Sequence, residues 1–185
     1  MQAPEIFHAR ARRLTRAEYD RMAELGFFRG QRVELIHGIP VWMRPIGPPH
    51  ADVVDRLTAL LIRGIGDRAR VRVQQPFVAH DESEPEPDIA VVPACSYASS
   101  HPDSAMLVIE VAESSLEYDR ETKAALYAAS HVAEYWIVDL QGRAIEVYAE
   151  PAQARYSHVS RATAGVRISP RAFREVSVSI DDLFE

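Results

Sequence analysis

Apolar and polar positions recur along this chain with two different periods, and the switches between them outline its elements. Thr15 followed three residues later by Glu18 forms a capping-box pattern, and Gly26 stands where a left-handed cap would close a helix. Together they predict a helix over residues 16–25. Residues 32–36 and 39–43 read as two short strands, and His37-Gly38 between them has the composition of a tight hairpin turn. Beyond Pro48-Pro49, Val53, Val54, Leu57, Leu60 and Leu61 recur at helical spacing until Gly64 and Gly66, which predicts an amphipathic helix with His50 at its start.

Residues 71–75 alternate as a strand with one more polar face. The acidic, proline-rich residues 81–87 suit a loop, which feeds the short apolar run at residues 88–92. Residues 106–111 form a second continuous apolar run, as a strand buried on both faces does. A helix is predicted over residues 119–130 with Asp119 as its N-cap, then a strand over residues 135–139. Ile145, Val147 and Tyr148, then Val166, Ile168, Val176 and Val178, suggest further strands in a hairpin-rich end. The order strand, strand, helix, strand in mid-chain predicts an α/β (α+β) protein with a mixed sheet, a right-handed crossover and helices on the faces.

The length of 185 residues suits one domain, expected over residues 15–185 behind an N-terminal arm of residues 1–14. With 47% hydrophobic and 26% charged residues the chain has a globular composition. No apolar run approaches the roughly 18 residues of a membrane-crossing helix. Arg10, Arg12 and Arg13 are not followed by the apolar stretch of a secretory signal, so a cytoplasmic protein is expected. Cys95 is the only cysteine, which excludes an intramolecular disulfide and a thiolate zinc cluster within one chain. The formal charge of −6 works against nucleic-acid binding unless a basic face is segregated, and arginines do concentrate at residues 63–72 and 155–174.

Two acids stand out against this pattern. Asp88 opens one buried strand and Glu110 lies near the end of another. If the strands are neighbours, both carboxylates converge at one sheet edge, an arrangement that holds magnesium together with phosphate oxygens and water. Such an ion polarises a phosphodiester and activates a water. Lys123, on the helix that follows, would bring an ammonium to the same edge.

Pro87-Asp88 and Ile109-Glu110-Val111-Ala112 resemble the PD-(D/E)xK nuclease motif, with Ala112 where that motif carries its lysine. The longer series Glu110-Val111-Ala112-Glu113-Ser114-Ser115, Asp119-Arg120-Glu121-Thr122-Lys123 and Glu134-Tyr135-Trp136-Ile137-Val138-Asp139 resembles the bacterial Uma-two family of restriction endonucleases. In that family the lysine stands on the following helix, matching Lys123. Val33-Glu34-Leu35-Ile36-His37-Gly38 and His50 fall on the family's glutamate-containing hairpin and helix-start histidine, so the resemblance spans residues 15–148. It implies a restriction-endonuclease-like core, a divalent cation (magnesium or manganese) on Asp88 and Glu110, and cleavage of DNA, with Glu34 and His50 as accessory residues. Cutting both strands of a duplex is most simply done by a homodimer, which is the expected assembly.

Each residue also has a plainer reading. Asp88 beside a proline suits a turn, Lys123 four residues after Asp119 suits a helical ion pair, and Glu34 suits an exposed strand acid. His50 suits a local helix-start bond, and Tyr135 and Trp136 suit packing on opposite faces of a strand. Glu113, Glu117 and Glu121 read as solvent-facing charge. The alternative for the whole chain is a catalytically weak or inactive nuclease-fold module that binds nucleic acid or a protein partner, or a hydrolase of smaller phosphoesters.

Overall fold

A computed structural model describes residues 12–185, so residues 1–11 of the expected arm lie outside the described residues. Helix α1 (Arg16–Glu24) opens with the capping box read from the sequence. The Glu18 N–H donates to Thr15 Oγ1 and the Thr15 N–H donates to Glu18 Oε2, satisfying two N–H groups that the helix start leaves free. Gly26 takes φ +84°, a left-handed conformation that a side chain would strain. Strands β1 (Val33–Ile36) and β2 (Ile39–Trp42) then pair as an antiparallel hairpin through His37 and Gly38, both with positive φ.

Helix α2 (Pro48–Ile65) runs through Gly64, the first of the two glycines expected to close it. Gly64 survives inside the helix because Val176 packs where its Cβ would lie, and Gly66, at φ +59°, is the residue that ends it. β3 (Ala69–Val73) begins two residues earlier than expected and ends at Gln74, whose φ of +50° turns the chain out of the strand. β4 (Ile89–Pro93) and β5 (Leu107–Ala112) follow.

Helix α3 occupies residues 116–129 and differs from the expectation at its start. Asp119 is not its N-cap. It lies a turn inside the helix, in a π-helical segment, Asp119–Lys123, where the Ala124 N–H donates to the Asp119 carbonyl five residues back. β6 (Glu134–Asp139), β7 (Ala144–Ala152) and β8 (Arg155–Ala162) complete the large sheet, and β9 (Arg167–Ile168) pairs with β10 (Val178–Ser179) ahead of the short helix α4 (Ile180–Leu183). β8 has no counterpart in the sequence reading.

The central sheet is six-stranded and mixed, in the order β3-β4-β5-β6-β7-β8. Only β5 and β6 run parallel, with α3 as the crossover between them, and the other neighbours are antiparallel. Side-chain alternation gives each face its own core. Ile89, Val91, Ile109, Val111 and Trp136 pack with Val54, Leu57 and Leu61 of α2. Ala90, Val108, Tyr135 and Ile137 pack on the other face with Ala124 and Tyr127 of α3. Tyr135 and Trp136 are therefore both fully buried, on opposite faces. Among the described residues no helix is long and apolar enough to cross a membrane.

Candidate active site

The site forms where the β1–β2 hairpin, the ends of β4 and β5, and α3 meet. The hairpin is anchored by an antiparallel bridge between Leu35 and Glu84, which exchange backbone bonds of 3.2 and 2.8 Å. The proline-rich segment ahead of β4 is thus a buried ledge, with Ser83, Glu84 and Pro85 inaccessible, and it carries the hairpin's Glu34 toward the sheet. The Glu86 N–H donates to Glu34 Oε2 at 3.2 Å.

Asp88 precedes β4, and its neighbour Ile89 pairs with Ile109, so Asp88 lies beside Glu110 on β5. The Asp88 N–H donates to Glu110 Oε2 at 3.4 Å, and the Val111 N–H donates to Asp88 Oδ2 at 2.8 Å. Glu110 shares the face of Val108 and Ala112, which is the face α3 covers. From that helix Lys123 Nζ donates to Glu34 Oε2 at 2.6 Å and to Glu110 Oε1 at 3.2 Å, and the Tyr127 hydroxyl donates to Glu110 Oε1 at 2.7 Å. His50, in the first turn of α2, places Nε2 3.0 Å from Asp88 Oδ2. All five residues singled out from the sequence, Glu34, His50, Asp88, Glu110 and Lys123, therefore meet in one cluster.

Three participants were not anticipated as site residues. Gln74 donates its side-chain amide to Asp88 Oδ1 at 3.2 Å and its N–H to the Asp88 carbonyl at 3.1 Å. A neutral side chain at a strand end carries no signal of this in the sequence. Tyr127 lies one helical turn beyond Lys123, a spacing that places both on one face. Asp119, expected as a cap, is buried and accepts from Ser115 Oγ at 2.6 Å.

The electrostatics follow from burial. Glu34, Asp88, Glu110 and Lys123 keep only 5%, 8%, 7% and 4% of their surface exposed. Desolvation pushes the Glu110 carboxyl up to about 8, with the nearby acids adding to it and the Lys123 cation pulling the other way. Desolvation pushes Asp119 up to about 6, against the Ser115 bond and Lys123. Burial disfavours the Lys123 cation, but the Glu110 and Glu34 carboxylates overcome it and raise its pKa. Burial likewise opposes protonation of His50, while Asp88 outweighs it and raises the pKa.

These residues line a cavity of about 560 Å³. Two buried polar atoms along it, His50 Nδ1 and Tyr118 Oη, have no hydrogen-bond partner among the described residues. Unpaired buried polar atoms are rare, so these two leave the cavity with hydrogen-bonding capacity that a ligand or water can meet. Glu113 and Glu117 line its outer part and are exposed, as is Glu121 elsewhere on the surface.

A family model described as "Uma2: Putative restriction endonuclease" matches residues 16–181. The solved structure of "a putative nuclease belonging to DUF820" from Anabaena variabilis superposes with a TM-score of 0.75 at 16% sequence identity, covering 92% of this chain and 97% of that one. At that identity the likeness is one of fold. No protein of curated function matches the sequence.

Proposed function

The chain belongs to the Uma2 family. From that premise we propose that it is a divalent-metal-dependent hydrolase of DNA phosphodiester bonds, working in the cytoplasm, with Asp88 and Glu110 as the cation's ligands and Lys123 beside them. The carrying observation is that four segments distant in sequence deliver Glu34, Asp88, Glu110 and Lys123 into one buried cluster at the floor of a cavity. Buried charges at this density are costly and concentrate at functional sites.

The donor set suits a hard cation. Asp88 and Glu110 offer only oxygen, and one oxygen of each is lightly engaged: Asp88 Oδ1 accepts a single amide N–H at 3.2 Å, and Glu110 Oε2 a single backbone N–H at 3.4 Å. Among the described residues no group of three His, Cys, Asp or Glu side chains forms a ready-made metal cluster. Magnesium is commonly held by one or two protein carboxylates, with water and substrate phosphate oxygens filling its other positions. When bound, such an ion lowers the pKa of an attacking water and neutralises charge on the phosphate.

The chain's own residues supply the rest. Lys123 is a fixed cation beside the carboxylates, suited to offset charge growing on the phosphate as water attacks phosphorus and one ester P–O bond breaks. Glu34 holds that ammonium in place. His50, Gln74 and the Val111 N–H fix the Asp88 carboxylate, and Tyr127 fixes Glu110, so neither acid has to reorganise during reaction.

The test is cleavage of supercoiled, linear and single-stranded DNA with magnesium or manganese, comparing the natural protein with Glu110→Ala and Lys123→Ala. Cation-dependent product that both substitutions remove is the expected result. Undiminished cleavage by Glu110→Ala would overturn the site assignment. The net charge of −6 favours a second reading, a nuclease-fold module without chemistry whose partner is a protein, for which neither binding nor cleavage of any nucleic acid is the signature.

A further inference from the structure

The rim of the cavity contrasts with its floor. Trp42, the last residue of β2, is 74% exposed although its indole borders the cavity. Its N–H donates to Gln31 Oε1 at 3.1 Å, which fixes the ring's orientation while leaving its faces open. Arg32 and Arg44 also border the cavity, Arg32 pairing with Glu86 Oε2 at 3.4 Å and Arg44 donating to Ser114 Oγ at 2.5 Å. An exposed, oriented aromatic in a lining that also holds two guanidinium groups has the makings of a base-stacking platform with phosphate contacts nearby, although Glu113 and Glu117 share that lining.

The acids, in contrast, are recessed. A cavity of about 560 Å³ is the size that encloses one small-molecule ligand. In a paired duplex each base face is covered by its stacked neighbours, so the exposed Trp42 ring meets a base only where the strand is unstacked. A single strand bends freely at each nucleotide and can place one sugar-phosphate on the floor while its base rests on the rim.

Building on the hydrolase reading, we infer that the substrate is single-stranded DNA, with Trp42 stacking the base next to the nucleotide that enters the cavity and Arg32 and Arg44 holding the flanking phosphates. Trp42 is a specificity residue here, distant from the reacting atoms. One copy of the chain is sufficient for one strand, which departs from the twofold assembly that duplex cutting favours.

The experiment is a binding titration in calcium or EDTA, read by tryptophan emission and anisotropy, with an oligothymidylate single strand and a mixed-sequence duplex. The chain has two tryptophans, and Trp136 is fully buried with its N–H on Glu134, so a change in emission reports Trp42. The single strand should quench emission and bind at least tenfold more tightly than the duplex. Trp42→Ala should weaken single-strand binding about tenfold, and Trp42→Phe should restore most of it. Equal affinity for the duplex, or unchanged single-strand binding by Trp42→Ala, would overturn the inference. Because the readout is binding, Trp42-dependent binding without any cleavage supports this inference while removing the hydrolase reading. Cation-dependent cleavage of duplex and single strand alike does the reverse.

Discussion

Lys123 and Glu34 lie 89 residues apart in the chain, yet the Lys123 ammonium donates to Glu34 Oε2 at 2.6 Å inside the protein. The contact ties the β1–β2 hairpin to α3 across the candidate site, and Glu110 completes it from β5 at 3.2 Å. Neither partner is tolerable alone at this burial, because each would be a desolvated charge without compensation. The cluster is therefore a structural joint as well as a candidate reaction centre, and the two roles separate experimentally.

Lys123→Met leaves Glu34 and Glu110 facing one another without a cation. Breaking a buried pair in this way costs about 3 kcal/mol, to be read from urea unfolding. Manganese or magnesium on Asp88 and Glu110 should recover part of that loss, because its charge on Glu110 compensates in part for the missing ammonium. The variant should thus gain more stability from the cation than the natural protein does. Equal gains in both proteins would show that the cation and Lys123 do not act on the same carboxylate.

Tyr127→Phe removes one hydrogen bond and nothing else. The ring stays wedged between Phe77 and Tyr135, with centroid distances of 6.2 and 5.0 Å, so the fold should persist. The lost O–H bond to Glu110 Oε1 is one of the stronger kind, worth about 1.5–3 kcal/mol when its partner is ionised. Cleavage should fall roughly tenfold with the circular dichroism spectrum unchanged, since 1.4 kcal/mol corresponds to a factor of ten. Full activity in the variant would mean that Glu110 needs no such support.

Much of this arrangement is legible in the sequence, for an energetic reason. An acid at the end of an unbroken apolar run is costly to bury, so Glu110, which closes one such run, and Asp88, which opens another, announce themselves. The hairpin and α1 are equally plain, because capping and turn chemistry are local. What escapes is non-local or unpatterned. That Glu34 faces the site depends on the bridge between Leu35 and Glu84. β8 is an edge strand exposed along nearly all its length, so no apolar alternation marks it. The start of α3 is misread because Asp119 has the chemistry of a cap but is used inside a π-helical turn, bonded to Ser115.

Gln74 shows how a residue without a sequence signal can matter. Its φ of +50° costs a non-glycine residue on the order of 1 kcal/mol, and that strain aims both its N–H and its side-chain amide at Asp88. Gln74→Gly should relieve the strain and Gln74→Ala should not, so thermal unfolding should rank the glycine variant above the alanine variant by about 1 kcal/mol. Both lose the amide that holds Asp88 and should cleave DNA more slowly than the natural protein. An alanine variant with full activity would reduce Gln74 to a turn residue.

A separate charge network, on the β6–β7–β8 end of the sheet, sets a pH dependence that does not involve the candidate site. Glu146 accepts from Arg120, from Arg161 at 2.6 Å and from the Tyr148 hydroxyl at 2.9 Å, while Arg161 also binds Asp139 at 2.9 Å. The Arg120 bond, with Tyr148 and Arg161 behind it and burial opposing, holds the Glu146 carboxyl below its ordinary range. A carboxyl whose folded pKa is depressed binds protons more readily when unfolded. Its contribution to stability is thus fully present above the unfolded value of about 4.3 and disappears as pH falls through the lower folded value. Glu146→Gln should therefore be less stable than the natural protein at pH 7, and the difference measured by urea unfolding should shrink steadily as the pH is lowered below about 4.3. A difference that persists unchanged into that acid range would show that Glu146 stabilises the sheet by packing rather than through its charge.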